Sequence, residues 1–119
     1  MLVGSGHGGT CMQAWELEDL EAARVASGRL YHEFVSVPDL SGGLYTLEAR
    51  ATDPQSPHTE DELYVVMSGR GRVTVGDEDR RVGPGSVVFV GASVAHRFHD
   101  IEERLVILVA FGPAEDSRR

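Results

Sequence analysis

From residue 30 onward, apolar and polar positions alternate in short runs broken by glycine, proline and acidic residues, whereas residues 16–27 keep a different rhythm. That earlier stretch, ELEDLEAARVAS, has acids in its first turn, apolar Leu17, Leu20, Ala23 and Val25, and Gly28 just beyond it. It predicts one short amphipathic helix with a glycine stop. The period-two runs predict strands at 30–36, 43–51, 62–68, 72–75, 80–82, 86–90, 95–99 and 104–111. Turn-forming clusters at 38–43, 53–57, 69–71, 76–77, 83–85, 91–93 and 100–103 separate them. Many short strands at this spacing predict an all-β antiparallel sandwich or barrel.

Two of the strands are apolar on both faces. In 63–67 (LYVVM) and 105–111 (LVILVAF) strict alternation fails, although a barrel in water shows polar residues outward. Their outer faces therefore need a cover. The N-terminal helix, a second sheet, or a second copy in a homodimer would each supply one.

The chain has 119 residues, 41% of them apolar, which suits one compact domain. Residues 1–11 read as a flexible leader, 12–114 as the single domain and 115–119 as a frayed tail. The formal net charge is -8, and every one of the eleven cations is arginine. The lack of lysine excludes Schiff-base chemistry and a Walker-type phosphate lysine. An acidic chain with no helix-turn-helix pattern argues against nucleic acid and anionic membrane as partners. Gly4, Gly6 and Gly9 have GxGxxG spacing, but only three residues precede Gly4 and no βαβ pattern follows. A lone Cys11 forms no intrachain disulfide, no stretch has the length of a transmembrane helix, and the first ten residues lack the pattern of a secretory signal. The expected compartment is the cytoplasm.

Chemistry concentrates in Ser56-Pro57-His58-Thr59-Glu60-Asp61-Glu62 and around His96. Pro57 and the β-branched run after Glu62 argue against a helix there. On an extended segment Ser56, His58, Glu60 and Glu62 share a face, so a histidine and up to two carboxylates would point into a barrel. Gln55 has the opposite parity and would need a bulge to join them. Glu60 and Asp61 read as a solvated acidic turn. Tyr64 and Phe98 share parity with Glu62 and His96 and fit either core or pocket, while His99 should face outward. Tyr31 and His32 lie on a strand whose inward face is open. Arg70 and Arg72 flank Gly71 and read as hairpin charge.

Glu62 and Gly69 are separated by six residues, His58 precedes Glu62 by four positions, and Gly85, His96 and Asp100 fall at fixed later intervals. In this the sequence resembles a small single-domain cupin, a double-stranded β-helix (jelly-roll) barrel whose first motif is G(X)5HXH(X)3-4E(X)6G and whose second is G(X)5PXG(X)2H(X)3N. Ser56 stands where the first motif has its first histidine. Gly91 and Ser93 replace the proline and glycine of the second, and Asp100 its asparagine. The resemblance implies that His58, Glu62 and His96 ligate one divalent transition metal, Fe, Mn, Ni, Cu or Zn, as a facial triad with open positions. It further implies action on a small organic molecule by dioxygenase, isomerase or cyclase chemistry. A non-catalytic small-molecule-binding barrel, with a structural metal or none, is the alternative that the missing histidine favours.

Overall fold

A computed structural model describes residues 12–117; the leader at 1–11, with its glycine motif, His7 and Cys11, and the last two arginines lie outside the described residues. Helix α1 covers Leu17–Ser27, with Glu18 and Asp19 in its first turn and Arg24 in its last, and Gly28 closes it. Leu20 is its buried residue, and the helix packs on the first two strands. Glu21 accepts a hydrogen bond from the Thr46 hydroxyl at 3.2 Å and pairs with Arg24 at 2.5 Å.

Six strands follow: β1 (Tyr31–Val37), β2 (Leu40–Leu47), β3 (Asp61–Val75), β4 (Glu78–Val82), β5 (Val87–Val90) and β6 (His96–Gly112). They hydrogen-bond in the order β1-β2-β6-β3-β4, with β5 on β3, and the pairs are antiparallel. Two expected turns are absent. The separators at 69–71 and 100–103 lie inside β3 and β6, so four expected strands become two long ones. The β3–β6 ladder shifts register three times between Val66 and Arg72, and the bulges bend both strands together without ending them. Gly69 makes that bend possible: it sits at φ 93°, and a Cβ there would lie 1.9 Å from the Arg104 carbonyl oxygen. Arg70 and Arg72 accordingly flank a bulged strand and not a hairpin tip, with Arg72 donating to Asp79 at 2.7 Å.

Alternation along β3 turns Glu62, Tyr64 and Val66 inward, and β6 does the same with Leu105, Ile107, Val109 and Phe111. The apolar residues among them and Tyr64 join Leu47, Val73, Val82, Val90, Phe98 and Ile101 in one core, where Tyr64 and Phe98 meet edge to face at 4.9 Å. The outer faces fare differently. Helix α1 covers part of the β1–β2 side, whereas Leu63, Met67, Val87 (59% exposed) and Phe89 (64% exposed) face out on β3 and β5. Register places Leu63 opposite Phe89, so they form one apolar strip.

Candidate metal centre

Residues 48–60 connect β2 to β3 without regular structure, and one side chain governs their path. Asp53 is buried. Its Oδ1 accepts the Tyr45 hydroxyl at 2.5 Å and the Gln55 backbone N–H at 3.2 Å; its Oδ2 accepts the Gln55 side-chain amide at 2.7 Å and the Phe98 backbone N–H at 2.8 Å. Four bonds to one carboxylate tie the connection to β2 and β6. The same path carries His58 over the barrel end, where its carbonyl accepts the Ser93 N–H at 2.6 Å.

His58, Glu62 and His96 converge there, each offering a ligand atom within 4.8 Å of the others. The connection supplies the first, the start of β3 the second and the start of β6 the third. His96 Nδ1 lies 2.8 Å from the Val94 carbonyl, which can only accept. That bond fixes the tautomer and aims Nε2 at the centre. Around Nε2 stand two acceptors, the Gln55 Oε1 and Glu62 Oε1 oxygens, each at 3.2 Å. Burial pulls the His96 pKa down, but the Glu62 carboxylate, the Val94 carbonyl and the Asp53 charge outweigh it and hold the pKa above its ordinary value. A nitrogen facing two oxygens that ordinarily accept is satisfied by a proton shared with one of them or by a metal ion.

Two further atoms point the same way. Glu62 Oε1, on a residue 3% exposed, contacts His96 without hydrogen-bond alignment and has no hydrogen-bond partner among the described residues; nor has His58 Nδ1, which lies 3.5 Å from Glu115 Oε2. An imidazole nitrogen and a carboxylate oxygen left unsatisfied beside the His96 imidazole fit a divalent transition ion. Beside them lies a cavity of about 240 Å³, lined among others by Tyr31, Tyr45, Tyr64, Phe111 and Glu115. Tyr31 reaches it because Gly43 has no side chain: a Cβ there would lie 2.2 Å from Tyr31 Cζ. Burial and nearby carboxylates push the Tyr31, Tyr45 and Tyr64 hydroxyls well above the ordinary phenol range, so all three are proton donors at neutral pH. Burial first, then Asp116 and Glu33, raises the Glu115 carboxyl to about 7.

Ser56 is exposed at the cavity rim and joins no cluster. Glu60 is no solvated turn: it is 1% exposed and accepts bonds from the Asp116 N–H at 3.0 Å and the Thr59 hydroxyl, while Asp61 stays exposed. His99 turns away from the centre and pairs with Asp79 at 2.6 Å. Of the adjacent pair on β1, Tyr31 faces the cavity and His32 does not line it. Parity misjudged Gln55, because the connection has no ladder to define a face. Glu115 was missed; the turn that holds it is tied down by its N–H to Ser41 Oγ at 2.8 Å.

Residues 43–111 match the cupin domain, more than half of the chain. The chain belongs to the cupin family. It is 50% identical over 104 residues to an uncharacterised protein of Streptomyces coelicolor, covering 87% of this chain and 99% of that one. Among solved structures, KdgF from Halomonas sp. is similar with a TM-score of 0.66 at 21% identity, over 75% of this chain and 82% of that one. An RmlC-like cupin from Shewanella frigidimarina gives 0.66 at 17% identity, over 75% and 79%. TT1209 from Thermus thermophilus gives 0.67 at 20% identity, over 86% and 98%. These likenesses establish the double-stranded β-helix of this cupin and no more than that.

Proposed function

We propose that this cupin holds one divalent transition metal, Fe, Mn, Ni, Cu or Zn, on His58, Glu62 and His96, and acts on a small organic molecule seated in the adjoining cavity. The observation that carries the reading is the convergence of three donor atoms within 4.8 Å beside that cavity. Its volume, about 240 Å³, falls below the roughly 300–1,000 Å³ of drug-sized sites and calls for a compact ligand. Tyrosine and phenylalanine rings give the ligand an apolar bed. The Tyr31 hydroxyl, buried and without a partner among the described residues, donates a hydrogen bond to a ligand oxygen, and Glu115 presents a carboxyl near His58. A bound ion would supply a Lewis acid for a ligand oxygen, or as Fe(II) a centre for dioxygen chemistry, which keeps dioxygenase, isomerase and cyclase reactions in view.

Elemental analysis of gently purified protein tests the metal. One equivalent that disappears in His96→Ala is the expected result, and metal-free wild type refutes it. Metal without turnover across a panel of small oxygenated substrates would leave a non-catalytic small-molecule-binding cupin, the reading that Ser56 favours.

The exposed strip of Leu63, Met67, Val87 and Phe89 supports a homodimer. Solution mass should show twice the chain mass, reduced to the monomer by Phe89→Glu; a monomeric wild type at micromolar concentration refutes it. The single cysteine supports a cytoplasmic location, and no described helix is long and apolar enough to cross a membrane.

A further inference from the structure

The cupin motif has a first histidine that this chain replaces with Ser56, which is exposed. We propose that Gln55 takes over that role, its side-chain oxygen completing the metal centre as a fourth ligand beside His58, Glu62 and His96. The assignment rests on the proposed metal site and concerns a residue outside the triad.

Placement is the first argument. Gln55 Oε1 lies 3.2 Å from His96 Nε2, the nitrogen that the Val94 bond aims at the centre. Glu62 Oε1 stands at the same 3.2 Å from that nitrogen, so the two oxygens flank the one imidazole nitrogen of the triad whose direction is fixed. Orientation is the second. An amide has an oxygen end and a nitrogen end, and only its partners distinguish them. Here the nitrogen end donates to Asp53 Oδ2 at 2.7 Å, and Asp53 is itself held by the Phe98 N–H and the Tyr45 hydroxyl. A flipped amide would set its oxygen against that carboxylate, so the oxygen end is committed to the centre.

Electron pairs are the third argument. A carboxamide oxygen carries two acceptor positions. The Tyr64 hydroxyl takes one at 2.7 Å, which leaves the other for an ion and holds the oxygen in place. The side chain is therefore supported at both ends by neighbours of the same core. The donor set becomes two imidazole nitrogens, one carboxylate oxygen and one neutral oxygen. It is harder than three imidazoles and a carboxylate, which moves preference toward Mn2+ and Fe2+.

Full-length protein stripped by a chelator and reloaded with one equivalent of Cu2+ provides the test, because electron paramagnetic resonance counts coordinated nitrogens. Wild type should show two. Gln55→His should show three, since an imidazole carried to the same place adds its nitrogen to the ion. Competition for Mn2+ against a chromophoric chelator should show a loss of ten-fold or more in Gln55→Ala. Gln55→Glu should bind at least as tightly as wild type, and Ser56→Ala should be unchanged. Two nitrogens in Gln55→His, or an affinity within two-fold of wild type in Gln55→Ala, overturns the assignment. If Gln55→Ala loses affinity while Gln55→His still shows two nitrogens, Gln55 orients His96 and is not a ligand. A wild type that holds no ion, indistinguishable from His96→Ala, refutes the metal centre itself, an outcome read without any change at position 55.

Discussion

Replacing Asp53 by alanine should destabilise the protein strongly, because one buried carboxylate in the β2–β3 connection holds donors from β2, β6 and the connection itself. The side chain accepts four hydrogen bonds, and its donors differ in what they lose. The Tyr45 hydroxyl and the Phe98 N–H belong to buried residues and would be left without partners. Each such orphan costs about 1–3 kcal/mol. The two Gln55 donors sit on a half-buried residue and recover water, at a cost of about 0.5 kcal/mol each. The total comes to about 3–7 kcal/mol, a large share of the roughly 5–15 kcal/mol that holds a domain folded. For a chain of this length it corresponds to a fall in Tm of about 10–30 °C. Asp53→Asn keeps one acceptor oxygen and should lose about half as much, whereas Asp61→Ala, an exposed carboxylate that accepts only the Ala92 N–H at 2.9 Å, should lose under about 1 kcal/mol. Urea unfolding of metal-free protein measures all three. An Asp53→Ala unfolding free energy within about 1 kcal/mol of wild type, or equal losses for Asp53 and Asp61, would show that the carboxylate does not organise the connection.

Gly69→Ala should lose at least about 3 kcal/mol and express poorly, because it combines a positive φ with a backbone clash; wild-type Tm in that variant refutes the bend assigned to β3–β6. Tyr31→Phe removes an unpartnered buried hydroxyl, so Tm should hold or rise, while binding of oxygenated small molecules, followed by calorimetry, should weaken about ten-fold; unchanged affinity would exclude Tyr31 from ligand contact. The Asp79 carboxyl is held below its ordinary value by hydrogen bonds from the Thr74 hydroxyl and Arg72, with His99 adding to them. Its stabilisation is present above the unfolded pKa of 3.8 and is lost as pH falls through the lower folded value. Asp79→Asn should therefore be less stable than wild type at pH 7, with the gap closing as the solution is acidified below about pH 4. A gap that is constant across that range would remove charge as the cause.

Much of this cupin is legible in its sequence alone. The period-two runs and the separate helical rhythm of 16–27 give an all-β domain with one helix, and the resemblance to the cupin motifs implies His58, Glu62 and His96, the three residues that converge. Those features are local: parity decides which way Glu62 points once β3 is paired, because successive side chains on a strand face opposite sides. Tertiary structure decided the rest. Glycine at 69 signals a turn in a short window, yet pairing with β6 across more than thirty residues makes it a bend in a continuous strand. Gln55 has the wrong parity on paper. Its direction comes from Asp53, which the Phe98 N–H anchors from 45 residues away. Glu115 reaches the cavity because its backbone bonds to Ser41, 74 residues earlier in the chain. Alternation predicts orientation only where a ladder holds the backbone. In the connection and the final turn, contacts distant in sequence hold it, and no run of neighbouring residues contains them.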